Sequence, residues 1–398
     1  MWKNIVAAPA DSILGLTEAF RNDPNPQKVN LGVGVYKDDA GKTPILACVK
    51  AAEKLLLERE TTKSYLPISG DPVYAACVQK LLFGEDGEVV ANRRAATVHA
   101  PGGTGALRVG ADLLKKFMPK ATVWLSSPTW ANHKGVFATA GFPLSEYAYY
   151  DPATKDVDFA GLTRDLQAIP AGDIVLFHTC CHNPSGVDLD QGQWREIVEI
   201  ARERGWLPFL DFAYQGFGIG VEEDRYAVEQ FAASGLDFLV ASSFSKNFGL
   251  YNERTGALTV VSPTAAESTV AMSHLKTVVR VIYSNPPAHG GLVTATILSD
   301  PDLHRQWLGE LAAMRERIVA MRSALVDGLN ARGVAGDFSY IKRQRGMFSF
   351  SGLSDATVAW LRQHRNIYVV GGGRINLAGL TSKNIDYVCD AIAEALRS

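Results

Sequence analysis

The chain has 398 residues, with 40 Lys and Arg against 42 Asp and Glu, so its formal net charge of −2 gives no basic field that makes a nucleic acid the default partner. Hydrophobic residues at 47% and charged residues at 21% are globular values and exclude a wholly disordered, collagen-like or coiled-coil chain. At about 150 residues per domain, the length predicts two or three domains.

Residues 1–45 contain little core material of their own and are expected to pack on the C-terminal part of the chain or to reach a partner subunit. The opening MWKNIVAAPADSILGLTEAF lacks a secretory pattern, and no apolar stretch is long enough to cross a bilayer. Cys48, Cys77, Cys180, Cys181 and Cys389 are odd in number and form no C-x-x-C pair, which points to a reduced compartment, the cytoplasm.

Short apolar runs at Thr122–Leu125, Ile174–Phe177, Leu207–Leu210, Phe238–Ala241 and Leu258–Val261 alternate with helix-like segments. Continuous rather than alternating apolar runs predict a mostly parallel sheet covered on both faces, an α/β fold. Between two of these runs, Asp190 and Gln193 form a capping-box pattern, and Trp194, Ile197, Val198 and Ala201 give a helical stripe that ends near Gly205. Apolar residues from Leu311 to Leu329 predict one long amphipathic helix able to connect domains. Beyond it, Phe338–Ile341, Met347–Ser351, Ile367–Val370 and Arg374–Leu377 read as short strands around a helix near Asp355–His364, a smaller α+β unit. The expected division is a large domain at 46–312, with 1–45 and 313–398 forming an N-terminal arm and a small domain.

Reactive groups follow four of the predicted strands. Ile174–His178 leads to Asn183, Leu207–Leu210 to Asp211 and Tyr214, Phe238–Ala241 to Ser243, Ser245 and Lys246, and Thr122–Leu125 to Trp130. Ligands of open α/β sheets bind beyond the carboxyl ends of the strands, so these side chains can converge. Pyridoxal phosphate needs nearly this set: an amine for its aldehyde (Lys246) and a carboxylate for its ring nitrogen (Asp211). Asn183 and Tyr214 suit the ring oxygen, and Trp130 can stack on the ring. Pro101-Gly102-Gly103-Thr104-Gly105 precedes a helix-like Ala106–Lys116, so its N–H groups can meet the phosphate, with Arg254, Ser243 and Ser245 as further donors.

Taken singly, the glycine-rich turn reads as a tight connection, Asp211 as a turn cap and the aromatic residues as core. Lys246 directly after a buried strand is less easily explained that way. His178, His182 and Cys180-Cys181 have no second cluster at zinc-ligand spacing, so no metal is expected.

HNPSG (182–186), DFAYQGF (211–217), SSFSKNFGLYNERTG (242–256), PGGTGAL (101–107), YSNPPAHG (283–290) and GRINLAGL (373–380) resemble, in order and across the whole chain, the aspartate/aromatic aminotransferase family of pyridoxal-phosphate fold type I. The resemblance implies a large cofactor-binding domain with a mostly parallel central sheet plus a smaller α+β domain. In it Lys246 is the Schiff-base lysine and the proton shuttle between the substrate's α-carbon and the cofactor's C4′. Asp211 pairs with the pyridine nitrogen, and Asn183 and Tyr214 bond the ring oxygen. Gly103, Thr104, Ser243, Ser245 and Arg254 hold the phosphate, with Tyr65 reaching it from the neighbouring subunit of a homodimer with shared sites. Arg374 binds the substrate α-carboxylate, beside Gly34, Trp130 and Asn183. Arg280 binds the distal carboxylate of a substrate in the partner's site.

The implied reaction moves the amino group of L-aspartate to 2-oxoglutarate, giving oxaloacetate and L-glutamate, with aromatic amino acids as further donors. An enzyme preferring tyrosine or phenylalanine is the alternative, and a lyase or decarboxylase of the same fold a more distant one. The partners expected are amino acids and 2-oxo acids, without nucleic acid or membrane. Ser185 and Phe244 depart from the commoner Thr and Tyr, and Ser64 stands where aspartate-selective members usually carry Asn. Lys37, Thr43, Thr104 and Asn285 follow the aspartate type. Ser127-Pro128 and Asn183-Pro184 resemble bonds that are often cis in this family.

Overall fold

The computed structural model describes residues 2–6 and 14–397. Within them the chain divides into two compact units. The larger takes Pro44–Glu316 and Gln344–Gly346; the smaller takes the described residues up to Thr43, Arg317–Arg343 and those from Met347 onward.

The larger unit is built on seven strands: β1 (Ala95–Pro101), β2 (Val123–Ser127), β3 (Leu144–Ala148), β4 (Ile174–His178), β5 (Leu207–Phe212), β6 (Phe238–Ser243) and β7 (Thr255–Val261). They lie in the order β1-β7-β6-β5-β4-β2-β3. β7 runs antiparallel to both its neighbours, and the pairs from β6 through to β3 are parallel. This is the mostly parallel α/β architecture expected from the apolar runs. All five residues of β4, all six of β6 and all seven of β7 are buried, as a sheet covered on both faces requires.

Helix α1 (Gly102–Phe117) follows β1 directly and buries Leu107, Gly110, Ala111 and Leu114, a stripe at helical spacing. Gly110 is there because the helix sits on Phe209 of β5: a Cβ at this position meets the Phe209 ring at 2.5 Å. Helix α2 (Ala131–Thr139) follows β2. Helix α3 (Gln191–Arg204) starts at the predicted capping box, with both reciprocal bonds of Asp190 and Gln193 formed, and ends at Gly205 with φ +72°. Helices α4 (Ala265–Ile282) and α5 (Ala288–Ser299) come next, and then α6 (Pro301–Ala331), inside which the division between the units falls. α6 begins ten residues before the predicted Leu311, because Asp300 caps it by accepting from the Asp302 and Leu303 amides at 3.0 and 3.1 Å.

In the smaller unit, Val29–Asn30 pairs in parallel with Ile367–Tyr368, so this part of the N-terminal segment does pack on C-terminal chain. Strands β8 (Phe348–Phe350) and β9 (Arg374–Asn376) pair antiparallel, and helix α7 (Asp355–Arg365) lies between them in sequence. Phe338–Ile341 is not the strand expected. Asp337 accepts from the Ser339 amide at 2.7 Å and opens a turn into the short helix Tyr340–Arg343, a local side-chain bond overriding an apolar run. Among the described residues no helix is long and apolar enough to cross a membrane.

Candidate active site

The carboxyl ends of β1, β2, β4, β5 and β6 deliver the predicted groups to one edge of the large sheet, and the reversed β7 brings Arg254, just before its first residue, to the same edge. Thr255 pairs with Pro101, and Gly256 with Ser243. Asp211 and His178 are register partners on β5 and β4.

Asp211 is buried, and its Oδ2 lies 2.9 Å from Nε2 of His133, whose Nδ1 lies 2.8 Å from the Thr129 hydroxyl. With Asp211 ionised the network assigns the proton to Nε2, so that His133 donates to the carboxylate and accepts from Thr129. Burial pushes the Asp211 carboxyl upward, but the hydrogen bond donated by His133, with the Lys246 amine nearby, holds it below the usual carboxylate range. The ligand atoms of His133, His178 and Asp211 lie within 4.8 Å of one another, the composition of a cation site, in which two members already satisfy each other. Burial drives His178 down to about 3 and His182 well below its ordinary value, so both rings are neutral.

His182 fixes the loop that carries Asn183. Ser185 donates to its Nδ1 at 2.7 Å, and its Nε2 donates at 3.0 Å to Ser126, which in turn donates to the Pro128 carbonyl at 2.9 Å. Tyr149 stacks on the ring at 3.8 Å. This network ties together the two X-Pro bonds at the site, Ser127-Pro128 and Asn183-Pro184, both cis. Ser185 keeps the hydroxyl that the commoner Thr supplies. Trp130, ahead of α2, packs edge-on against His133 at 5.2 Å.

Lys246 is partly accessible, with its Nζ 4.6 Å above the buried Tyr214 ring. Desolvation lowers its pKa and the nearby Arg254 charge adds to the effect, with Asp211 opposing. The result is an amine that gives up its proton more readily than a surface lysine does.

Beside it is an anion cradle. Gly102, at φ +71°, opens α1, and a Cβ there lies 2.5 Å from an Arg254 nitrogen; a Cβ on Gly103 lies 3.0 Å from that of Ser243. Arg254 donates to Ser245 Oγ at 3.3 Å, and the Ser245 amide donates to Ser243 Oγ at 3.4 Å. The unpaired N–H groups of the first helical turn, including Gly103 and Thr104, and the guanidinium thus face a space that side chains on these glycines would fill.

Tyr65 and Arg280 are exposed and line a different cavity, of about 870 Å³, with Lys63, Ser284 and Asn285. In the smaller unit, Arg374 is buried, donates to the Gly32 carbonyl at 2.8 Å and lies 4.2 Å from the Phe348 ring centroid. Gly34 faces the same ring, where a Cβ would approach to 2.8 Å.

His133 was not among the residues expected from the sequence. It stands 78 residues from Asp211, and its only sequence signal is its place one turn into a helix that follows a strand end carrying Trp130.

The aminotransferase class I and II family model matches residues 26–392. The aspartate aminotransferase of Salmonella typhi is 52% identical over 396 residues, covering 100% of both chains. The aromatic-amino-acid aminotransferase of Burkholderia pseudomallei, solved covalently bound to pyridoxal phosphate, superposes with a TM-score of 0.97 at 49% identity, covering 100% of this chain and 99% of that one. A psychrophilic aromatic amino acid aminotransferase from Psychrobacter, cocrystallised with aspartic acid, gives 0.98 at 42% identity over 100% of both chains.

Proposed function

This chain belongs to the aminotransferase class I and II family, and from that premise we propose that it is a pyridoxal-phosphate-dependent transaminase that moves the amino group of L-aspartate to 2-oxoglutarate, accepting aromatic amino acids as further donors. The observation that carries the reading is the convergence of Lys246, with its lowered pKa, and the anionic Asp211–His133 pair beside the glycine, serine and arginine cradle. That donor set fits the cofactor's aldehyde, ring nitrogen and phosphate. When bound, the cofactor supplies an electron sink for the bond broken at the substrate's α-carbon.

The chain's residues account for the rest. Arg254, Ser243, Ser245 and the first amides of α1 hold the dianionic phosphate. Asp211, kept charged by His133, holds a proton on the ring nitrogen. Asn183 and Tyr214 orient the ring oxygen, and Trp130 covers the ring. Lys246 carries the proton between the α-carbon and C4′, a task that suits an amine of lowered basicity. Arg374 and Arg280 take the α-carboxylate and the distal carboxylate, since a guanidinium offers each a two-pronged hydrogen bond.

Tyr65 at 91% exposure and the exposed Arg280 have no cofactor group of their own to serve in the cavity they line, which supports a homodimer in which each subunit completes the other's site. The five cysteines are buried thiols, in keeping with the cytoplasm as the compartment.

The test is the ratio of kcat/KM for L-aspartate and L-phenylalanine with 2-oxoglutarate as acceptor. Aspartate ahead supports the stated order, and phenylalanine far ahead favours the aromatic alternative, for which the Burkholderia and Psychrobacter relatives speak. Release of ammonia or CO₂ in place of amino exchange identifies a lyase or decarboxylase.

A further inference from the structure

The cavity lined by Tyr65, Arg280, Ser284 and Asn285 contains a hydrogen-bond relay with a single direction. At the end of α4 the amides of Tyr283 and Ser284 both donate to the Val279 carbonyl at 3.1 Å, and Ser284 takes a left-handed φ of +67°. This unusual backbone for a non-glycine residue accompanies a bond from the Arg280 guanidinium to the Ser284 hydroxyl.

A guanidinium can only donate, so the hydroxyl oxygen accepts and its own proton goes to Asn285 Oδ1 at 3.0 Å. The Asn285 amide nitrogen then donates to the Leu66 carbonyl at 2.8 Å, next to Tyr65. Turning the amide over would set carbonyl against carbonyl and leave the serine proton facing an NH₂ group, so one orientation satisfies all members. Pro286 and Pro287 follow and stiffen the chain beyond the relay. A neutral hydroxyl therefore fixes the direction of Arg280 without neutralising its charge.

We propose that Ser284 is a positioning residue that sets Arg280 for the distal carboxylate of a dicarboxylic substrate, and thereby a determinant of the preference for dicarboxylic over aromatic donors. The proposal rests on the reading that Arg280 receives that carboxylate. Without the hydroxyl, Arg280 must be ordered by the substrate itself, a cost that falls on dicarboxylates and not on donors with an uncharged ring.

Ser284→Ala and Ser284→Gly test it in the reconstituted holoenzyme. Both remove the hydroxyl, but only glycine relaxes the left-handed backbone, which separates the two contributions. We expect kcat/KM for L-aspartate to fall about tenfold in both variants, mostly through KM, with that for L-phenylalanine within about twofold of wild type. Inhibition by succinate should weaken in parallel, and that by 3-phenylpropionate should not. Phenylalanine turnover doubles as the check that each variant folds. An unchanged aspartate-to-phenylalanine ratio, or equal losses for both donors, overturns the proposal alone. A wild-type enzyme inert toward both donors overturns the functional reading and the proposal with it.

Discussion

Asp211 is where opposing effects meet. Burial favours the neutral acid, and the donated bond from His133 favours the carboxylate, with the second effect prevailing. His133→Ala removes the opposing donor, so the Asp211 pKa must rise and the acid limb of the kcat/KM profile must move to higher pH. Cofactor retention should weaken about tenfold, the worth of one charge-assisted hydrogen bond, measured by fluorescence titration with pyridoxal phosphate. An acid limb that stays in place would show that His133 only fills space. Asp211 was legible in the sequence because it directly follows the apolar run Leu207–Leu210, and Lys246 because it lies in the short polar turn just after Phe238–Ala241. His133 was not, because what gives it meaning is a partner brought close only by the parallel order of β2, β4 and β5.

Among the elements, those with an unbroken apolar run or a local cap could be read directly, as the capping box of α3 illustrates. Asp190→Ala should cost about 1 kcal/mol of stability in urea unfolding, with activity retained. β1 and β3 were not legible: AATVHAP is rich in alanine and LSEYA is broken by Ser145 and Glu146, so neither has the apolar continuity of β4 or β6. Their place comes from neighbours in the sheet. The Gly110 contact is likewise invisible in sequence. Gly110→Ala gains helix propensity but drives a methyl into the buried Phe209 ring, and the overpacking, about 1–3 kcal/mol, exceeds the propensity gain of about 1.

β1 also carries His99, whose two ring nitrogens are buried without a hydrogen-bond partner and whose pKa burial lowers to about 4. An unfolded histidine titrates near 6.5, so below that pH the unfolded chain binds more protons and native stability falls as the pH drops from about 6.5 towards 4. His178, lowered to about 3, adds to the same slope. His99→Gln should flatten the loss of thermal midpoint over this range, and a slope identical to wild type would contradict the assignment.

For the whole molecule, the sequence pointed to a large α/β part and a smaller α+β part, and the described residues form two units divided within α6. Tyr65 and Arg280 line a cavity that contains none of Lys246, Asp211 or the cradle residues, so their use belongs to the assembly. If subunits complete each other's sites, mixing Lys246→Ala with Arg280→Ala subunits under exchange conditions should restore aspartate turnover, because each hybrid dimer holds one site with both residues intact. Mixtures no more active than their parents would refute shared sites.

The central claim is that Lys246, Asp211 and the cradle before α1 serve amino-group transfer. Its most direct test is to incubate the pyridoxal-phosphate-loaded protein with nitrogen-15-labelled L-aspartate and 2-oxoglutarate and to follow the label by mass spectrometry, with Lys246→Ala as control. The account predicts labelled L-glutamate and oxaloacetate in equal amounts from the wild type and none from the variant. Label retained in aspartate or released as ammonia, or equal transfer by the Lys246→Ala protein, would contradict it.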